Sequence, residues 1–273
     1  MKKNRMIQHA ALVFAAVAMM ALDSTGQTVR GDFNMDGDIN VTDVTTMLNY
    51  MLTERLPAAA VLHDTVTVNG VSFVMVHVDG GTYSLMLNGC YTVDDYYIGQ
   101  TEVTEELWTA VMGSTPTGIH HAPQSPAWGM TRDQCDEFID SLNALTGMDF
   151  RLPSEDEWEY AAAGGCFTLG RIYAGSDDID EVAWYLGNYS HESYVNYVAT
   201  KAPNELGLYD MSGSVWEWCS EARGYNSQSL VCALRGGGFM SSADQCRVTS
   251  CIRMSRDQRS EEYGLRLVRS AGE

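Results

Sequence analysis

The chain has 273 residues, of which 45% are apolar and 19% charged, the proportions of a globular protein and not of a disordered one. Lys and Arg number 17 against 36 Asp and Glu, a net charge of −19 that repels a phosphate backbone and argues against nucleic-acid binding. The length allows one large domain or two small ones, and seven cysteines are too sparse for a disulfide scaffold.

Lys2, Lys3 and Arg5 precede an apolar run from Ala10 to Leu22. A basic start followed by a run of that length predicts a signal peptide over residues 1–26 and an exported protein, periplasmic, cell-surface or secreted. The run is shorter than the roughly 20 residues that span a bilayer, and no later segment is apolar enough, so no membrane span is expected. No Cys follows the run, which argues against a lipid anchor. The cysteines (90, 135, 166, 219, 232, 246 and 251) are odd in number, which leaves at least one thiol unpaired. None form a CxxC pair, so a thiolate zinc site is not supported.

Residues 27–58 form the next segment. Asp32, Asn34, Asp36, Asp38, Asn40 and Asp43 fall at loop positions 1, 3, 5, 7, 9 and 12, with Gly37 at the sharp turn of position 6. Oxygen donors at that spacing suit a cation of calcium size. A helix follows, with Val44, Met47, Leu48 and Met51 at helical spacing, and Pro57 ends it. The segment resembles one half of a type I dockerin, an EF-hand-like calcium module that docks onto cohesins. Dockerins carry two such repeats. The chain shows no second one, which weighs against a cohesin partner and for a structural calcium module.

Residues 65–270 read as α+β. Val66 to Val78 is strand-like and ends at Asp79-Gly80-Gly81, and Tyr96 to Glu102 reads as another strand. Thr104 caps a helix that has Glu105 and Glu106 in its first turn. Thr131 with Gln134, and Ser154 with Glu157, make two capping boxes. The second helix carries Trp158 and Tyr160 and stops at Gly164-Gly165. Beyond about residue 180 the aromatics and glycines lose helical period, so loops and short strands are expected.

RLPSEDEWEYAAAGG (151–165), NELGLYDMSGSVWEWCSE (204–221), LRGGG (234–238) and YGLRLV (263–268) occur in one order and spacing. They resemble the formylglycine-generating enzyme, or sulfatase-modifying factor, family. That resemblance implies a loop-rich, C-type-lectin-like fold, which serves both oxidases and ligand binders. It implies copper(I) between two cysteines five residues apart, since soft thiolates suit copper(I). Here those positions are Ser241 and Cys246, and the family's Ser of RGGS is Gly238. Cys251, five residues beyond Cys246, is the candidate replacement ligand, although by alignment it matches a structural cysteine whose partner position is Ala162. Cys135 matches another structural cysteine, with its partner position at Leu267, so neither family disulfide carries over.

The resemblance also implies calcium held by the side chains of Asp210 and Glu217 and the carbonyls of Gly213 and Val215. The alternative for Glu217 is an ion pair with a core arginine such as Arg235. A second family calcium site near Trp184 is expected to be lost, because Val182 stands where Asn is usual. Six His, with His120 and His121 adjacent, offer no spaced triad for non-haem iron.

Three functions follow. The first is an exported binding or scaffold protion of the family whose loop from Phe239 to Gln258 faces a protein or glycan ligand, without oxidase activity. The second is a copper-dependent formylglycine-generating oxidase, with Cys246 and Cys251 as its thiols. The third is an accessory protein of a carbohydrate-degrading system. Calcium is the expected cofactor in all three, and copper only in the second.

Overall fold

The computed structural model describes residues 61–85, 89–118, 122–189, 196–220, 222 and 231–271. The signal peptide and the calcium loop at Asp32, Asn34, Asp36, Asp38, Asn40 and Asp43 lie outside the described residues, as do His120 and His121.

Strands β1 (His63–Val68) and β2 (Val71–Val78) pair antiparallel. The Val66 to Val78 stretch, expected as one strand, is therefore a hairpin. Asn69-Gly70 turns it, with φ of 49° and 86° at the two turn residues, the left-handed pair that matches the twist of the flanking strands. A ribbon of β3 (Gly81–Leu85) and β4 (Gly89–Val93) leaves the end of β2 and returns into β5 (Tyr96–Gly99). β5 stops at Gly99, short of the expected Glu102. With β10 (Val268–Ser270) these give a first sheet ordered β1-β2-β5-β10.

Three helices follow the capping signals. α1 (Glu105–Met112) starts at Thr104, whose hydroxyl accepts from Leu107 N at 3.2 Å. α2 (Arg132–Thr146) and α3 (Glu155–Ala162) both begin with complete capping boxes, Thr131/Gln134 and Ser154/Glu157. Trp108 of α1 stacks on Phe138 of α2, with ring centroids 4.7 Å apart and planes at 6°. That contact closes one side of a core which also holds Met75, Leu142, Phe150 and Trp218. Fully burying each such large side chain contributes about 1.5–3 kcal/mol.

The rest of the chain has short elements between loops: α4 (Ile179–Val182), β6 (Trp216–Trp218), β7 (Val231–Arg235), β8 (Cys251–Ser255) and β9 (Tyr263–Gly264). They build a second sheet ordered β8-β7-β6-β9, in which β9 runs parallel to β6. The fold is mixed α and β and rich in loops. The described cysteines 135, 166, 219, 232, 246 and 251 are free thiols.

Two buried ion-pair networks join these layers. Arg235, at the end of β7, reaches Glu155 at 2.7 Å and Glu159 at 2.5 Å on α3. Arg266, just before β10, pairs with Glu217 of β6 at 2.8 Å. Sheet register sets Glu217 opposite Arg235, yet the two side chains serve different partners.

Candidate functional site

The segment after β7 carries the positions that matter for redox chemistry. Ser241 is 4% exposed, and its hydroxyl is engaged on every side. It accepts from Trp216 Nε1 at 3.0 Å and from Gly238 N at 2.9 Å. Its own proton faces Glu262 Oε1 at 3.5 Å, and that carboxylate also accepts from Met240 N at 2.9 Å. A Cβ at Gly238 would collide with the Glu262 carboxylate, so the family's serine does not fit here without moving Glu262.

Cys246 ends a short 3-10 turn (Ala243–Cys246) and is buried with Tyr173 and Val182. Burial, and then the Glu262 carboxylate, push its thiol up to about 12, against a smaller opposing effect of the Gly213 N–H. Cys251 heads β8, opposite Arg235, and is exposed. Copper(I) needs soft, deprotonated donors. This segment offers a buried neutral thiol, a saturated hydroxyl and a hard carboxylate, and that set does not suit the ion. Sequence reasoning missed Glu262, because a Glu-Glu pair before a short aromatic strand reads as an ordinary solvated turn.

One prediction arises directly. With a thiol at about 12, roughly one part in ten thousand of Cys246 is thiolate near pH 8. Iodoacetamide should therefore modify exposed Cys166 and Cys251 in the native protein and reach Cys246 only after unfolding. Peptide mapping that shows Cys246 modified as fast as Cys251 under native conditions would contradict this.

On the other side of β6 lies an acidic cluster. Asp210, Gly213 and Ser214 all have left-handed backbone, with φ of 59°, 78° and 63°. A turn of this kind, two of whose three residues are not glycine, stores strain that packing must hold. A Cβ at Gly213 would strike the Trp184 carbonyl, so only glycine fits there. Asp210 Oδ2 accepts from Ala199 N at 2.6 Å. Glu217 is fully buried, takes Arg266 Nε and Nη2 on its oxygens at 2.8–3.0 Å, and accepts from Trp158 Nε1 at 2.5 Å. The arginine partner of Glu217 is thus Arg266 and not Arg235.

Glu102, just past β5, is the residue that the sequence did not single out. It is 2% exposed, and neither of its oxygens finds a well-formed hydrogen bond among the described residues. Burial, and then the Asp210 carboxylate, hold its carboxyl well above the usual range, with Arg266 opposing. Burial likewise raises Asp210 to about 6. Glu102, Asp210 and Glu217 around one guanidinium carry a net charge of minus two when all are ionised. A divalent cation neutralises that charge.

The donor set suits calcium. Its oxygens are hard, no described backbone N–H outside the strand ladders donates to the carbonyls of Gly213 or Val215, and Glu102 has only the nearby Ser214 hydroxyl as a hydrogen-bonding group that favours its charged form. Glu217 already accepts two contacts on each oxygen, from Arg266 Nε on both, Arg266 Nη2 on Oε1 and Trp158 Nε1 on Oε2, so an ion there would have to share or displace one of them.

Comparison with known proteins shows the family and the fold. The model of the sulfatase-modifying factor enzyme 1-like domain matches residues 54–271, and the chain belongs to that family. It is similar to the chaperone protein LppX of Paenibacillus barcinonensis, 28% identical over 253 residues, covering 73% of this chain and 90% of that protein. It is also similar to the mouse inactive C-alpha-formylglycine-generating enzyme 2, 31% identical over 137 residues, covering 45% of this chain and 44% of the relative. Less than half of that relative is thus spanned. Among solved structures, Treponema denticola variable protein 1 matches with a TM-score of 0.67 at 27% identity, over 76% of this chain and 98% of that one.

Proposed function

We propose that this is an exported, non-catalytic binding or scaffold protein of the sulfatase-modifying factor family, stabilised by calcium. The observation that carries the reading is Ser241. A hydroxyl stands where the resemblance calls for a copper thiolate, and Trp216, Gly238 and Glu262 engage it fully. A relative described as inactive shows that the family accommodates loss of catalysis.

The stretch from Phe239 to Gln258, expected as one loop, contains a 3-10 turn and strand β8, so the ligand face is cut back to the segment from Phe239 to Ser250 together with a neighbouring small cleft lined by Pro126, Trp128, Tyr189, Asn196, Ser214, Val215 and Phe239. Tyr189 and Phe239 meet there at 4.6 Å between centroids. Rigid aromatic faces beside an amide suit a glycan or a protein loop, because they supply contact area at little entropic cost. Asp210, Gly213, Val215 and Glu217 hold calcium behind this face. The loop from Asp32 to Asp43 holds a second ion in the N-terminal module.

The test is incubation of the copper-loaded protein with a cysteine-bearing sulfatase peptide, followed by mass spectrometry for the aldehyde. No product is expected from the wild type. Ser241→Cys is also expected to give none, because Glu262 and Gly238 still differ from the oxidase pattern. Product that depends on Cys246 would overturn this reading in favour of the oxidase, with Cys251 as its second thiol.

A further inference from the structure

The base of the β3–β4 ribbon holds a second set of convergent ligands, away from the acidic cluster of Glu102. His77 is near the end of β2, Asp79 lies in the turn that leaves it, and Asp95 directly precedes β5. One ligand atom from each lies within 4.8 Å of the others. His77 Nδ1 stands 3.4 Å from Asp79 Oδ1. Two ligands on one tetrahedral ion, each at about 2.0–2.1 Å, are about 3.3 Å apart. That edge of the site therefore already has the span of a coordination polyhedron.

Contacts outside the cluster orient the His77 ring and fix the Asp95 carboxylate and the backbone of Asp79. The His77 ring meets Tyr97 edge-on at 5.0 Å between centroids, with Tyr97 directly across the sheet. Asp95 Oδ1 accepts from Gly80 N at 2.7 Å, and the Asp95 carbonyl accepts from Ala271 N at 3.3 Å. The Asp79 carbonyl accepts from the Tyr160 hydroxyl at 3.2 Å. Gly80 passes so close to the chain at 93–95 that a Cβ would sit 2.6 Å from the Val93 carbonyl. The strand leaving the sheet and the strand re-entering it are thus pinned together where the ligands converge. Arg269, which stacks on the Tyr97 ring at 4.0 Å, is committed to Asp64 at 2.5 Å.

We propose that His77, Asp79 and Asp95 bind a divalent transition ion of the zinc class and that this ion clips the base of the β3–β4 ribbon. One imidazole nitrogen and two carboxylate oxygens favour zinc, cobalt or manganese over calcium, which takes oxygen ligands only. Two carboxylates balance a dication. Three protein ligands leave at least one position to water or to a ligand group from outside.

The experiment is zinc titration by calorimetry of the full chain, in millimolar calcium to saturate the oxygen sites and with exposed thiols alkylated beforehand. Cobalt substitution supplies a visible spectrum. One zinc per chain is expected. Asp79→Asn and His77→Ala should each weaken it at least about tenfold and change the cobalt spectrum, while Asp94→Asn, the adjacent acid outside the cluster, should not. Zinc should also slow amide exchange within β3 and β4. The Asp79 side chain is about half exposed, so its variant keeps the test valid if His77→Ala is unstable. Absence of zinc binding, or binding that all three variants leave unchanged, would show that the cluster is only an ion pair beside a second acid. Binding that does not protect the ribbon would overturn the clip.

Discussion

Arg235→Met should lower the stability of the family domain by about 3–5 kcal/mol, the cost of leaving buried carboxylates without their cation. Arg235 is 1% exposed, and the two acids that it serves, Glu155 and Glu159, are 3% and 1% exposed. Its Nη1 also approaches the carbonyls of Val248 and Ser250, both at 3.4 Å. Methionine replaces the volume of the side chain but none of these contacts. Arg253, 3.0 Å from Glu155, compensates only that one acid. In a domain of this size the loss corresponds to a fall in melting temperature of roughly 6–20 °C. Arg235→Lys should recover part of it, because a point charge cannot fork between two carboxylates. Arg247→Met is the contrast. It breaks an exposed pair with Asp244 and should change stability by less than about 1 kcal/mol. Thermal and urea melts of the three variants check the ranking. Equal effects of Arg235→Met and Arg247→Met would mean that the α3–β7 network does not hold the two layers together.

Chelation is the second large effect. If Asp210, Glu217 and the two backbone carbonyls hold calcium, the ion binds only the folded chain and stabilises it by mass action. At a hundred times the dissociation constant that is about 2.7 kcal/mol. EDTA should then lower the melting temperature of the domain by roughly 5–11 °C, reversibly on adding calcium. Glu217→Gln keeps the Trp158 bond but loses charge toward both Arg266 and the ion, so it should melt lower and respond little to EDTA. Glu102→Gln distinguishes the role of the orphaned acid. As a calcium donor, its loss should weaken the ion; as a neutral buried acid, its loss should leave the EDTA shift intact. Asp36→Ala should remove one calcium from the stoichiometry without moving the domain melt. An EDTA shift that is identical in wild type and Glu217→Gln would exclude the site.

Local signals in the sequence were accurate where the physics is local. Thr104, Thr131 and Ser154 each cap the helix that their spacing announced, because a capping hydroxyl reaches a backbone N–H only a few residues away. The Asn69-Gly70 turn was equally local, yet it was lost inside a continuous apolar stretch whose alternation runs through it. The motifs at 151–165, 204–221, 234–238 and 263–268 identified the family domain, and the matching model extends it to residues 54–271.

The sequence by itself determined the family frame, the helix starts, the acidic balance, and the presence of Ser241 and Gly238 where the resemblance calls for Cys and Ser. Only the tertiary structure decided which charges meet. Glu217 and Arg235 face each other in register, but Glu217 turns to Arg266 while Arg235 turns to Glu155 and Glu159. Likewise Glu262 fills the space that a side chain at 238 would need, and Glu102 stands beside Asp210 from more than a hundred residues away. The reason is range. Capping and turns depend on neighbours within one turn of chain, whereas a buried charge is fixed by whatever partner the packing of distant layers brings within reach.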